Sequence, residues 1–271
     1  VIFKKGYGLA NREWNIPNRP DTRFKIYSIS KQFTTVLVFQ LAAEGKIDLD
    51  AKLTDYLPDY RKDTGSQVTI DHLLRNVSGI PCYINDPGRR KEGVPRYSWH
   101  VQYERDSFVR DYLSGDLMFE PGSRYRYSNT DFHLLAVVIE AVTGSSYEEN
   151  LHQRILDPLG MKDSGIDSNE RIIANRAEGY EKAPGGWIRM RPVNPDNLLG
   201  AGNLYSTVED LALWNMALEG DRLLPREWCE KMFTVHLKEP HEEHAYTVNY
   251  FTRPLESGGE LRYTGFSGGS T

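Results

Sequence analysis

The stretch Tyr27–Phe33, YSISKQF, opens a helical pattern that runs from Ser30 to Glu44 in this 271-residue chain. Phe33, Val36, Leu37, Phe39, Leu41 and Ala42 cover most of a helix circumference, and Gly45 stands where a helix end favours a left-handed residue. The pattern predicts a helix buried nearly all round. Ser28 and Lys31 stand three residues apart at its start, so with Ser28 in the first turn, hydroxyl and ammonium share one face. Backbone N–H groups at a helix N-terminus face developing negative charge, which suits attack on a carbonyl. A lysine held in a dry pocket has a lowered pKa and can take the proton of a neighbouring serine. The simpler alternative is that Ser28 or Ser30 only caps the helix and Lys31 points to solvent.

Outward from this helix, residues 1–11 and 22–27 read as strands. TIDHLLRNVSG starts a short helix capped by Thr69 and ending at Gly79. Ile80–Val101 is a long loop carrying Tyr83, Tyr97 and Trp99, a length typical of a binding loop, although aromatics of this kind also pin loops to a core. Further helices are predicted at 106–113, at 131–143 between a Thr130 cap and Gly144, and at 146–156. A hairpin turns at Pro184-Gly185-Gly186, Ser206 and Glu209 form a capping box, and Pro225 opens another helix. The closing segments 246–252 and 260–266 alternate as strands. Strands at both ends and helices between them predict an α+β fold: an antiparallel sheet flanked by helices, plus a mainly helical lobe. The whole chain, 1–271, reads as one domain with a sheet lobe of about 1–50 and 178–271 and a helical lobe of about 51–177. The simplest packing joins both strand regions in one sheet.

A formal net charge of −5 argues against sequence-independent nucleic-acid binding, and the basic knot Arg89-Arg90-Lys91 reads as a solvated loop. No apolar run approaches the length of a membrane helix. Cys82 and Cys229 could pair or stay as buried thiols, and free thiols are the reading preferred over a pair. His241 and His244 in HEEH read as a surface loop rather than a zinc site, and Asn76-Val77-Ser78 is a glycosylation sequon by form only. The abrupt strand-like start and finish suggest that the chain continues beyond both ends.

Gly265-Phe266-Ser267-Gly268-Gly269 matches the G-x-S-x-G nucleophile elbow, but no Asp, Glu or His follows Ser267 to complete a downstream triad. Ser28 and Lys31 have better company. FEPGSRYRYSNTDF places Tyr127-Ser128-Asn129 just before a helix, where a phenol and an amide could face a cleft, and Tyr263-Thr264-Gly265 lies on the last strand.

S-x-x-K, then Y-x-N, then a strand with Thr-Gly, in this order, resembles the serine β-lactamase and penicillin-binding-protein superfamily. The likeness is strongest to the class C β-lactamase-related branch with D,D-carboxypeptidases and family VIII esterases. FKIYSISKQFT, LAAEGKIDLDAKLTDYLPDY, TIDHLLRNVSGIP, ILDPLGMKDSG and GAGNLYSTVEDLALW look like family stretches too, so the resemblance covers nearly the whole chain. It implies a serine acyl-enzyme cycle without cofactor or metal, acting on a small ester, amide or peptide. Ser28 would be the nucleophile, Lys31 and Tyr127 would share its proton, and Asn129 would orient Lys31 and substrate. Tyr263, Thr264, Gly265 and Phe266 would form the third wall, with the N–H groups of Ser28 and Phe266 holding the oxyanion, and Ser267 would be incidental. The family's third motif usually begins with Lys or His. Tyr263 supplies no charge there, and strand alternation sends Arg262 to the other face, which moves the expectation from β-lactamase or D,D-carboxypeptidase toward esterase or neutral amide hydrolase. Tyr263 also leaves room for a non-catalytic ligand sensor or scaffold. The resemblance further implies a periplasmic or secreted location.

Overall fold

The apolar pattern after Ser30 forms helix α1, Ser30–Ala43, with Phe33, Val36, Leu37, Val38, Phe39 and Leu41 wholly removed from solvent. The computed structural model describes residues 3–86, 93, 95, 97–238, 242–255 and 258–269. The Arg89-Arg90-Lys91 knot and His241 lie outside the described residues. A helix buried on every side must be wrapped by other elements. Phe33 stacks on Trp214 at 3.8 Å between ring centroids, and Trp214 donates its indole N–H to Gln32 Oε1 at 3.1 Å. Phe39 meets Trp228 and Tyr246.

The remaining helices are α2 (Leu53–Tyr56), α3 (Lys62–Gly65), α4 (Ile70–Leu74), α5 (Arg105–Tyr112), α6 (Asn129–Thr143), α7 (Tyr147–Leu151), α8 (Asp157–Leu159), α9 (Val208–Leu218) and α10 (Arg226–Met232). Helix α6 packs against both α1 and α4 and ends at Gly144 in a left-handed conformation. Two helix caps fall one or two residues from the sequence expectation. Ser128, not Thr130, caps α6, its hydroxyl accepting from Asp131 N at 3.2 Å, because Thr130 is spent on the 80–101 loop: it donates to Pro81 O and accepts from Tyr83 N. Thr207, not Ser206, caps α9, because Ser206 still belongs to a strand and its hydroxyl bonds to Ser164.

The strands are β1 (Leu9–Asn11), β2 (Ile16–Pro17), β3 (Phe24–Lys25), β4 (Gly165–Ile166), β5 (Tyr180–Ala183), β6 (Gly186–Arg189), β7 (Leu204–Ser206), β8 (Leu237–Lys238), β9 (Glu242–His244), β10 (Asn249–Pro254) and β11 (Glu260–Gly265). All ladders between them are antiparallel, so the fold is α+β as its residue pattern suggests. The two ends of the chain do not share one sheet among the described residues. β3 pairs with β7, and β7 with β4, while β8 to β11 form a separate four-stranded sheet in the order β11-β10-β9-β8. The N-terminal strands are too short to template a long partner, and β3 spends its ladder bonds on Tyr205 and Ser206. His244 lies on β9 and is buried there.

The core cluster runs from α1 through α4, α6 and the 80–101 loop. Tyr83 packs edge-on against Tyr97 and Phe108, and Tyr97 packs edge-on against Tyr112 and stacks on Tyr103, which fixes these two aromatics to the core. Truncation of Leu37 removes contacts on all sides of α1. Leu37→Ala is expected to lower the unfolding free energy by about 2–5 kcal/mol, read by urea denaturation, whereas the same change at the fully exposed Ile172 stays within about 0.5 kcal/mol.

Candidate active site

Ser28 sits in a 3-10 turn, Tyr27–Ile29, that leads directly into α1. Tyr27 has a φ of 42°, left-handed backbone that costs a bulky residue on the order of 1–3 kcal/mol and that the surrounding structure must hold in place. From this turn Ser28 Oγ stands 2.5 Å from Tyr127 Oη and 3.3 Å from Lys31 Nζ. The solvent-facing alternative for Lys31 is excluded, since its side chain is fully buried inside the molecule.

Lys31 Nζ donates to Asn129 Oδ1 and to the carbonyl of Ala201, both at 2.7 Å, and lies 4.8 Å from the centroid of the Tyr127 ring. Burial disfavours the ammonium and lowers its pKa to about 7, against a smaller upward pull from Cys82 and Asp131. The phenol of Tyr127 moves the other way: burial raises it to about 12, although the bond to Ser28 opposes the shift. At neutral pH this pair therefore comprises an amine near its midpoint and an intact phenol.

Three separate segments aim these groups. The Ser128 cap makes Asn129 the first residue of α6, and buried Asn76, itself left-handed at φ 55°, accepts from Ser128 N at 2.8 Å. Asn76 is thus a strut behind the Y-x-N turn, not an exposed sequon. Cys82 Sγ accepts from Asn129 N at 3.4 Å, and Cys82 and Cys229 are both free thiols. The loop that presents Ala201 O is tied to α1 by Thr34 Oγ1, which donates to Gly200 O at 2.6 Å. Gly200 has a φ of 65°, and a Cβ there would lie 2.7 Å from Ala136 Cβ, so no side chain fits. Asn76, Cys82 and Ala201 escaped the sequence reading because nothing in their local pattern separates a strut from an ordinary polar or small residue.

The third motif is placed differently. Tyr263 lies on β11 opposite Phe251, on which its ring stacks at 5.4 Å, and is 46% exposed. Arg262 projects to the opposite face, over Tyr250 and in an ion pair with Glu243. Thr264 is exposed, with Gly265 and Phe266 half-buried beside it, and Ser267 is exposed at the end of a strand that is itself exposed, unlike a hydrolase elbow. The described contact between this segment and Ser28 comes two residues further on. Gly268 lies so close to the Ile26–Ser28 main chain that a Cβ would stand 2.1 Å from Ile26 O and 3.0 Å from Ser28 N. A cavity of about 140 Å³ opens on Ser28, bounded by Tyr127, Asn129, Trp99, Gly202 and Gly269. Trp99 is therefore the loop aromatic that faces the serine, whereas Tyr83 and Tyr97 serve the core.

The beta-lactamase family model matches residues 1–270, and the chain belongs to that family. It is 30% identical over 209 residues to the teichoic acid D-alanine hydrolase of Staphylococcus aureus, covering 77% of this chain and 49% of that protein. It is 32% identical over 177 residues to esterase EstB of Burkholderia gladioli, covering 63% of this chain and 45% of that one. The solved D-stereospecific amidohydrolase from Streptomyces sp. is similar with a TM-score of 0.77 at 29% identity, over 92% of this chain and 76% of that chain. The chain spans about half the length of the curated relatives it matches. Among the described residues no group of His, Cys, Asp and Glu could hold a metal ion, and no helix is long and apolar enough to cross a membrane.

Folded Lys31 releases its proton near pH 7 and an unfolded lysine near 10.5, so unfolding takes up a proton between those values. Stability through this group must rise with pH across that window. Side-chain NMR should show the Lys31 midpoint near 7, and wild type should gain stability relative to Lys31→Met from pH 7 toward 10.5. A midpoint above 10 would show that the pocket does not tune this amine.

Proposed function

We propose that this chain is a serine hydrolase that cleaves small esters or amides through an acyl-Ser28 intermediate. The observation that carries the reading is the contact of Ser28 Oγ with both a buried amine of pKa about 7 and a buried phenol. Neutral Lys31 spends its two N–H groups on Asn129 Oδ1 and Ala201 O, and its lone pair is left for Ser28. With a pKa of about 12, Tyr127 keeps its proton at rest and is a poor choice for the resting base, while its 2.5 Å contact with Ser28 Oγ suits it to relay a proton.

In this cycle Ser28 Oγ bonds to the carbonyl carbon while its proton passes to Lys31. Main-chain N–H groups, those of Ser28 and of the segment that begins at Phe266, hold the oxyanion; losing one such donor typically costs ~10²–10³ in rate. The C–O or C–N bond then breaks, and the leaving group departs with the proton, handed on through Tyr127. Water attacks the acyl carbon, the same groups take its proton and return it to Ser28 Oγ as the acyl–Oγ bond breaks, which restores the serine and the neutral lysine. Ser28 and Lys31 come from the sheet-bearing part of the chain and Tyr127 and Asn129 from the helical residues 51–177, so the reacting groups meet where we place the seam of a two-lobed single domain.

The substrate class is an ester or amide without a requirement for a carboxylate at the third motif, because the Tyr263 phenol, stacked on Phe251, brings no positive charge there. The names of the relatives, an esterase, a D-alanine hydrolase and an amidohydrolase, support acyl transfer to water as the reaction type.

Exposure to a fluorophosphonate followed by peptide mapping tests this reading. A single adduct on Ser28 is expected, formed at a rate that climbs about tenfold per pH unit below 7 and levels above it. Lys31→Ala and Tyr127→Phe should each slow it by about 10²-fold or more, and Ser267→Ala should leave it unchanged. An adduct on Ser267 would overturn the assignment, and a folded protein with no adduct would favour a non-catalytic ligand binder.

A further inference from the structure

A second cleft, of about 610 Å³, adjoins the cavity at Ser28, and Tyr27 and Val193 line both. The residue preceding the serine is thus the divider between the two spaces. The walls of the larger cleft carry Lys25, Arg176, Arg189 and Arg191, against Glu178 as the one carboxylate among the described lining residues. This runs counter to a chain whose formal net charge is −5.

The cations are placed by structure, not scattered. Asp167, 3% exposed, takes ion pairs from Lys25 at 2.9 Å and from Arg176 at 2.5 Å, so one buried carboxylate anchors two cations and leaves a positive charge over. The backbone fixes their spacing: Arg23 bridges to Arg176, Arg23 N donates to Asn175 O, and Ala177 N donates to Arg23 O. Arg189 is neutralised by Glu178 at 2.8 Å. No ion pair is formed by Arg191 among the described residues, which puts five further N–H donors on the rim. Phe24, Met190 and Pro192 supply an apolar surface between these charges.

We infer that this cleft receives an anionic group, a phosphate or a carboxylate, carried by the substrate beyond the bond that Ser28 attacks. The inference rests on the hydrolase reading for the word substrate, and on the cleft alone for the anion. A concave wall with excess positive charge concentrates anions and strengthens charge-assisted hydrogen bonds. It also moves the recognition of charge away from the third motif, where Tyr263 offers none, to the opposite neighbour of Ser28.

Equilibrium binding to Ser28→Ala needs no turnover and tests the cleft by itself, with phenyl phosphate, benzoate and neutral benzamide as probes. At low salt the anions should bind about tenfold or more tightly than benzamide, as one charge-assisted contact implies, and the advantage should shrink near molar salt. Arg191→Glu should remove it, whereas Arg226→Glu, an equal charge change on the exposed face of α10, should keep it. Which anion binds more tightly then separates a phosphate-bearing from a carboxylate-bearing substrate. Anions no tighter than benzamide, or an advantage equally lost in both variants, would overturn the inference. Fluorophosphonate labelling of wild-type Ser28 reports on the acyl-serine reading separately, so the two can fail independently.

Discussion

Lys31 is taken wholly out of water, and a buried ammonium costs on the order of several kcal/mol unless its donors are met. Its close partners are neutral oxygens, those of Asn129, Ala201 and Ser28, which satisfy N–H groups without restoring the charge. That combination lets the amine approach neutrality at physiological pH and makes the positions of its partners matter. Moving any of them would leave a buried donor unpaired, which is more costly than losing an ordinary hydrogen bond. The start of α6, the Gly200 loop and the strained turn at Tyr27 are all held to this one nitrogen.

The supports behind these partners are ordinary packing and capping devices. Ser128 closes the N-terminus of α6, Asn76 closes on Ser128, and Thr34 reaches from α1 to the loop that bears Ala201. Each satisfies a backbone group that must be paired in any fold, and in doing so fixes a segment that presents a partner to Lys31 or Ser28. Stability and positioning are therefore supplied by the same bonds. The two cavities beside Ser28 share this scaffold: Tyr27 belongs to the turn that aims the serine and is also the wall between the small space and the larger cationic cleft.

Much of the helical part was readable from pattern. Apolar residues around the full circumference of α1 predict its burial, and Gly144, Thr69 and Pro225 mark helix ends by chemistry that acts within one turn. The misplaced caps at Thr130 and Ser206 share one cause: each hydroxyl was taken by a partner distant in sequence, Pro81 and Ser164 respectively. Strand pairing was less legible. Two- and three-residue strands carry little alternation, and which edge they join depends on which partner reaches them first with free N–H and C=O groups.

Residue types and spacing alone determined that a serine and a lysine lie one turn apart at the mouth of a buried helix, and that Y-x-N precedes another. They could not decide whether Lys31 faces water or the core, because a helix face acquires its meaning only from what packs on it. Tertiary structure decided that, by bringing Asn129 and Ala201 to within 2.7 Å of the amine from positions far along the chain. It likewise decided that Tyr263 stacks on Phe251, and that Lys25, Arg176 and Arg191 meet in one cleft. Desolvation and charge focusing depend on the sum of neighbours in three dimensions, and the local sequence does not contain that sum.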